Sequence, residues 1–555
     1  METAKIDPNI CYLKEEYIKD ILNKIQDKKT ADQENGNEPP SKKFKKDKKK
    51  GQNKQRPVFR EAFDDKLCRA LVNGEEGKCN REVCKFLHDI KAYLEKKPKD
   101  LGEKCPIYST KGFCPYGISC RFGSEHVTDD FKNMNIDKKQ DEEDRSMSYD
   151  VQISLRKKTY DFSKADKIIQ ETEVLKEKMK NVGLCGDDEN VVIRPSEKKK
   201  VDFRDKLVLS PLTTVGNLPF RRICKEYGAD ITIGEMACSQ PLVIGSNSEW
   251  ALTKRHSSED VFGVQIEGNN VKMVTYATQL LTDLTDVDFV DLNIGCPIDL
   301  IFKHGGGSAL LRRQNVLQSI VLSCSNLLGE KPFTVKTRTG ISPNNLVAKE
   351  LLPKLEKWGA SAVTLHGRTK EQRYSRLADW NYINEAASGV ENIPIIGNGD
   401  IFSFQDYQRI KENYKNVSSV MIGRGALIKP WIFKEIKEQN PSFGISSQER
   451  LEMIRKYVNY GLCHWGSDTR GVETTRRFLL EWLSFLYRYV PVEIVLYPPQ
   501  KINQRPQTDF YLGRDDLETL MRSDNSKDWI KISEMFLGPV PEGFVFVPKH
   551  KANSY

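Results

Sequence analysis

The sequence predicts an α/β fold built on a (β/α)8 TIM barrel, with tandem cysteine–histidine clusters on its N-terminal side and a helical domain after it. Three observations carry that expectation. Eight short β-rich segments alternate with helix-length stretches after Val201, chemically active residues stand at the ends of those segments, and six of the thirteen cysteines fall within residues 61–130. Repeated strand–helix alternation implies a parallel sheet covered by helices. Eight repeats over about 225 residues fit a barrel of typically ~250 residues. A doubly wound sheet is the alternative, weakened because no GxGxxG follows the first strand.

The segments are KLVLSPL at 206–212, ADITIGEM at 229–236, VFGVQI at 261–266, DFVDLNIG at 288–295, PFTVKTR at 332–338, AVTLHG at 362–367, IPIIGN at 393–398 and SVMIGR at 419–424. Nearly every one ends in a residue that does chemistry or bends backbone: Ser210-Pro211, Glu235, Gln265, Asn293 to Cys296, Lys336 and Arg338, His366 and Arg368, Asn398 to Asp400, and Gly423-Arg424-Gly425. A barrel gathers its strand C-termini at one mouth, where active sites sit. Cys296, within Asn293-Ile294-Gly295-Cys296-Pro297, is a candidate acid, base or nucleophile, although a lone cysteine is more often inert core. His304-Gly305-Gly306-Gly307-Ser308 reads as a mobile or tightly turned segment over the mouth. Lys336 is a cation able to stabilise an anion such as reduced flavin. Asn398-Gly399-Asp400 and Gly423-Arg424 end strands seven and eight, where barrels commonly bind phosphate. In that order they point to a phosphorylated cofactor.

Length and charge bound the rest. At ~100–200 residues per domain, 555 residues predict three to four domains. Hydrophobic content of 38% lies below the ~45–50% of an ordinary globular chain, which implies polar segments between folded ones. The division is a disordered basic region at 1–60, the two clusters at 61–130, a charged, partly helical linker at 131–200 (helical from Ser163 to Asn181), the barrel at 201–437 and the helical domain at 438–555. Nine of the basic residues and one Asp fall between Ser41 and Arg56, so nearly all of the net charge of +9 sits in one tract. Such a run stays unfolded and can contact phosphates, serve as a nuclear address or do neither. Cys11 to about Asp27 has apolar residues at helical spacing, as do Ser447–Trp465 and Thr474–Tyr489. Arg476, Arg477 and Arg488 are left over beside the last apolar face, which makes RNA contact an alternative to simple core packing. No stretch of 18 apolar residues exists and the N-terminus has no apolar h-region, so neither a membrane span nor a secretory signal is expected.

The clusters are Cys68-x10-Cys79-x4-Cys84-x3-His88 and Cys105-x8-Cys114-x5-Cys120-x5-His126. Zinc takes four N/S ligands in a tetrahedron, and three thiolates plus an imidazole supply them. The repeated ligand order resembles tandem CCCH zinc fingers, a family that usually binds RNA. The second cluster closes two residues late, with Ser124 at the usual histidine position. Phe86, Phe113, Tyr116 and Phe122 interleave with Lys85, Lys111 and Arg121, which suits stacking and phosphate contact, although a small finger also needs aromatics for its core.

Residues 206–430 resemble the dihydrouridine synthases at every strand end: PLTTVGNLPFRR, VQIEG, DLNIGCP, VKTRTG, HGRT, NGDI and GRGAL occur in that order. With two CCCH fingers ahead of the barrel, the resemblance narrows to the eukaryotic subgroup acting at position 47, in the variable loop of tRNA. Ser210 stands where that family usually has Ala. The resemblance implies an FMN- and NAD(P)H-dependent oxidoreductase that reduces uridine to 5,6-dihydrouridine, with NADPH or NADH as reductant and two structural zinc ions (Zn2+). It implies that Pro211, Leu212 and Thr213 line the flavin and that Gln265 hydrogen-bonds its pyrimidine end. It implies as well that Lys336 lies at the N1/O2 edge and that His366 lines the pocket. It further implies that Asn398, Gly399, Asp400, Gly423 and Arg424 hold the ribityl-phosphate and that Arg338 and Arg368 face RNA or the target base, with a structural role for either as the alternative. In the mechanism the resemblance implies, hydride passes from flavin N5 to C6 of uracil, and Cys296, mostly protonated at an ordinary pKa of ~8.5, gives the proton to C5. The expected partner is tRNA, with mRNA a further candidate, and the expected setting is a monomer in cytoplasm and nucleus. Two rivals remain. A flavin barrel acting on free pyrimidines has no need of fingers, and a non-catalytic RNA-binding barrel has no need of Cys296 and Lys336.

Overall fold

Short runs rich in Val, Ile and Leu become strands because such residues suit a sheet buried on both faces. The computed structural model describes residues 11–18, 62, 65–74, 79–136, 147–181, 201–496, 504–506 and 511–549. Its principal strands are β1 (Leu207–Leu209), β2 (Ile231–Ile233), β3 (Val261–Glu267), β4 (Phe289–Asn293), β5 (Phe333–Arg338), β6 (Ala362–His366), β7 (Ile395–Asn398) and β8 (Ser419–Ile422). Each pairs in parallel with the next. β8 returns to β1 in the register Leu207↔Val420 to Leu209↔Ile422. That closure makes a barrel and removes the doubly wound alternative. Seven of the eight segments expected from the sequence contain their strand, and the third is exceeded by one residue, Glu267. Two additions escaped the reading because they are too short to show a period: a strand Ala237–Cys238 beside β3, and a hairpin of Gly340–Ser342 with Asn345–Leu346 after β5.

One apolar layer joins Phe203, Val208, Ile231, Ile233, Phe289, Ala362, Ile396 and Met421. Several of these open their strands, so the plug lies toward the strand starts and the polar strand ends are left for the opposite mouth.

The chain divides into two compact units: Asp141–Ala426 with Pro430–Pro441, and Met1–Gln140 with Leu427–Lys429 and Ser442–Tyr555. The first contains the barrel and two helices, Tyr149–Lys157 and Ser163–Asn181, from the stretch read as linker. These helices pack on the barrel's own. Phe162 stacks on Tyr276 at 3.8 Å, Tyr276 donates to Asp166, and Ala165 N–H donates to Gln279 at 3.1 Å. That part of residues 131–200 is therefore built into the barrel unit rather than connecting to it.

The second unit corrects two expectations. Residues 11–18 form a single 3-10 turn, Glu15–Tyr17, bridged at Leu13↔Val495 and Ile18↔Tyr511. The expected helix from Cys11 is absent there, because its apolar side chains bury against Val490, Ile494 and Tyr511 instead; its remainder lies outside the described residues. The helices Ser447–Trp465 and Thr469–Leu486 are present. Arg476 and Arg488 are not spare surface cations: both are buried, and Arg476 donates to Glu473, Ser533 and the Leu537 carbonyl. Among the described residues no helix is long and apolar enough to cross a membrane. The Lys-rich tract at 41–56 lies outside the described residues.

Candidate active site

The ends of β1 and β8 meet first. A side chain on Gly423 would lie 3.5 Å from Ser210 and 3.6 Å from Leu212. Pro211 and Leu212 are half-buried there and Thr213 is exposed. Glu235, after β2, accepts the Thr214 N–H at 2.5 Å, which holds the loop after β1 in place.

A hydrogen-bonded row crosses β3, β4 and β5. Asn293 donates to Gln265 Oε1 at 2.8 Å, Gln265 donates to Asp291 at 2.7 Å, and Thr334 donates to the other Asp291 oxygen at 2.6 Å. Burial pushes the Asp291 carboxyl up, against the pull of these donors. The sequence reading missed Asp291; a lone acid inside an apolar strand was the available signal. The same Asn293 accepts the Gly295 and Cys296 N–H groups at 3.0 and 2.8 Å, so it folds the cysteine loop. Ser308 Oγ donates to the Cys296 carbonyl at 2.9 Å. Gly307 has φ +53°, and a side chain there would lie 2.9 Å from Cys296 Cβ. The segment His304 to Ser308 is thus a tight brace under the cysteine. Burial raises the Cys296 pKa and the Glu267 charge adds to it, outweighing the Arg338 and Lys336 cations. The thiol is protonated at neutral pH.

Lys336 is part-buried, and among the described residues its one hydrogen bond is a long one, 3.4 Å to Asn398 Oδ1. Asn398 in turn donates to the Met421 carbonyl at 2.8 Å. Burial, with Arg338 nearby, lowers the Lys336 pKa to about 8. Burial also holds His366 neutral, reinforced by Arg338, Lys336, Arg368 and Arg424. A side chain on Gly399, φ +136°, would lie 3.4 Å from the His366 ring.

Arg338 and Arg368, expected to face RNA or the base, are 4% and 2% exposed. Arg338 donates to the Gly295 and Thr369 carbonyls at 2.9 Å each. Arg368 grips Asp400 through both oxygens at 2.7 and 2.6 Å. Their contacts are those of loop-holding residues. Asp400 also takes Arg424 at 2.6 Å, so its carboxylate is spoken for; any hold on a phosphate comes from its backbone and from the surplus cation. The mouth carries Lys336, Arg338, Arg368 and Arg424 against Glu235, Glu267, Asp291 and Asp400; burial raises the pKa of Glu267 and Asp291 and so disfavours their charged forms, a balance that leaves room for an anion. A phosphorylated flavin fits these residues on one further ground: Lys336 has no carboxylate within ion-pair distance among the described residues.

In each cysteine–histidine cluster the four ligand atoms lie within 4.8 Å of one another. In the second, all four residues are buried. His126 Nδ1 lies 2.9 Å from Asn133 Oδ1, while its buried Nε2 has no hydrogen-bond partner among the described residues and faces the Cys114 and Cys120 thiols. Donation to Asn133 fixes the tautomer that offers Nε2 to a metal. Ser124, at the usual histidine position, instead gives its N–H to Asp100 at 3.1 Å. Both clusters therefore fit zinc. Of the interleaved aromatics and cations, Phe122 and Arg121 are internal, since Arg121 donates to the Lys99 carbonyl at 3.2 and 2.9 Å. Lys85 is exposed, and Phe86, Lys111, Phe113 and Tyr116 are half-buried.

The dihydrouridine synthase (Dus) family matches residues 208–483, and the DUS3L CCCH zinc finger domain matches residues 97–129. The Xenopus tropicalis protein named tRNA-dihydrouridine(47) synthase [NAD(P)(+)]-like is 48% identical, covering 93% of this chain and 85% of its own. The Homo sapiens protein of that name is 46% identical, covering 100% and 91%. A structure of morphinone reductase with tetrahydroNAD aligns over 42% of this chain and 86% of its own at 11% identity and TM-score 0.31, too slight a likeness to bear on function.

Proposed function

The chain belongs to the dihydrouridine synthases, among relatives named for position 47 of tRNA, and from that membership we propose that it reduces a uridine in the tRNA variable loop to 5,6-dihydrouridine, using FMN and NAD(P)H. When bound, FMN supplies the hydride for the C5–C6 double bond. The chain's own residues supply the rest. Gln265, fixed between Asn293 and Asp291, presents an oriented amide to the cofactor's pyrimidine end. Lys336 supplies positive charge where reduction makes the cofactor anionic. His366 stays neutral and packs. Asn398, Gly399, Asp400, Gly423 and Arg424 hold the phosphate end, and Pro211, Leu212 and Thr213 line the ring. Cys296 Sγ holds the proton destined for C5, and the uridine must leave its stack to reach it. Arg338 and Arg368 position the loops that carry these groups.

The observation that carries this reading is a cysteine on a braced loop after β4 together with a lysine on β5 that has no ion-pair partner among the described residues. The full-length protein should purify yellow, absorbing near ~450 nm, and should form dihydrouridine in tRNA transcripts far faster than in free uridine. A colourless protein that takes up no added FMN would sink the proposal. Equal turnover of free uridine and tRNA would move it to the pyrimidine reductases.

A further inference from the structure

The second zinc cluster is not closed by its own finger alone. Three thiolates and one imidazole around a divalent ion carry one net negative charge. In a buried site that charge needs hydrogen-bond donors. The finger supplies two, Tyr108 N–H to Cys105 Sγ at 3.5 Å and Phe122 N–H to Cys120 Sγ at 3.3 Å. A third comes from about 350 residues later, within the same compact unit. Ser467 is wholly buried, and its Oγ lies 3.1 Å from Cys120 Sγ and 3.5 Å from Cys114 Sγ. With metal bound the thiols are deprotonated, so the hydroxyl is the only member of this trio with a proton to give.

The neighbours of Ser467 are fitted to the same finger. Arg121 N–H donates to the Ser467 carbonyl at 2.8 Å. Gly466 has φ +113°, and a side chain there would run into Tyr116. Asp468 bridges to Cys120 in antiparallel register and also caps the helix Thr469–Leu486, accepting the Gly471 N–H at 2.8 Å. The backbone that presents a zinc ligand is therefore the backbone that positions the start of a long helix.

We propose that the Ser467 hydroxyl donates a hydrogen bond to the thiolates of the second zinc site, and that this zinc fastens the helix Thr469–Leu486 to the finger. The inference goes beyond the proposed reaction and rests only on zinc filling the second cluster. Metals whose ligands lose such a supporting hydrogen bond typically weaken by ~10–100-fold. In the full-length protein, Ser467→Ala should surrender one of its two zinc ions to a chromogenic chelator at 10–100-fold lower chelator concentration, and Ser467→Thr, which keeps the hydroxyl, should resist. Independently of any variant, stripping zinc from the wild-type chain should speed hydrogen exchange of amides in the first turns of Thr469–Leu486. Wild-type zinc retention by Ser467→Ala would overturn the donor role. Unchanged exchange on stripping would overturn the fastening. A wild-type chain that binds one zinc, with Cys120→Ser indistinguishable from it, would overturn the premise as well, and metal analysis separates that failure from the other two.

Discussion

Cys296 has to hold a proton until charge develops on the substrate and then release it, and its burial beside Glu267 secures the first half of that task. Cys296→Ala should fold, retain FMN and be reduced by NADPH, while oxidation of the prereduced flavin by tRNA slows by about 10²–10⁴-fold. Single-turnover absorbance measures this, and a wild-type rate would reassign the acid. Lys336 makes a pH prediction. Its pKa of about 8 in the flavin-free protein lies below the ordinary ~10.4. Its charged form therefore costs stability up to about pH 8, and the cost fades as pH rises toward 10.4. An anionic cofactor reverses the preference, so FMN binding takes up a proton above pH 8. Affinity should fall there by up to about tenfold per pH unit, and Lys336→Met should bind more weakly with a flat profile in fluorescence titration. At this scale the sequence showed which residue types stand at the mouth but not their partners. Arg338 and Arg368 look like free cations in one dimension. Only the fold brings Gly295 and Asp400, 43 and 32 positions away, within their reach.

At the scale of elements, the strands were legible because each is a short aliphatic run with a polar end, and the barrel's periodic alternation repeats that signal eight times. The helix Ser447–Trp465 was legible for a similar reason, its Ser446 and Glu449 forming a reciprocal capping box. Cys11–Ile18 was misread because apolar spacing says that side chains will be buried without saying against what. The brace after β4 yields the element-scale prediction. Gly307 needs φ +53° and has Cys296 Cβ and Ile301 at 2.9 and 3.0 Å from any added carbon. Gly307→Ala should cost about 1–2 kcal/mol from the backbone alone and push the cysteine loop out of position. A lowered Tm with a disproportionate loss of tRNA reduction over NADPH oxidation is the expected pair of results. Equal losses in both would mean that the brace serves stability only.

The whole molecule divides its labour between a barrel unit and a unit that joins the fingers to the C-terminal helices, a pairing of distant segments that no local pattern announces. Metal analysis should find two zinc per chain, and Cys79→Ser should unfold the first finger, since structural zinc supplies much of a small domain's folding energy, while flavin content stays at the wild-type level. Loss of FMN in that variant would tie finger and barrel into one folding unit. The charge distribution gives the remaining prediction. The stretch 41–56 carries nine Lys/Arg and one Asp in a chain of net charge +9, so the rest of the protein is close to neutral. A neutral body gains little from bulk attraction to RNA, whereas each basic side chain that neutralises a phosphate releases a counterion, with a salt slope of about −0.7 per contact on single strands. If the tract makes four or so contacts, a number set by how many lysines can follow one strand, its deletion should flatten the slope of log affinity against log salt by roughly three. Discrimination between tRNAs should persist, because contacts of this kind read no sequence. Binding of the full chain and of the chain lacking 41–56, titrated across salt concentrations with cognate and non-cognate tRNA, measures both quantities at once. An unchanged slope would remove the tract from RNA binding, and a loss of discrimination would give it a recognition role that its composition does not predict.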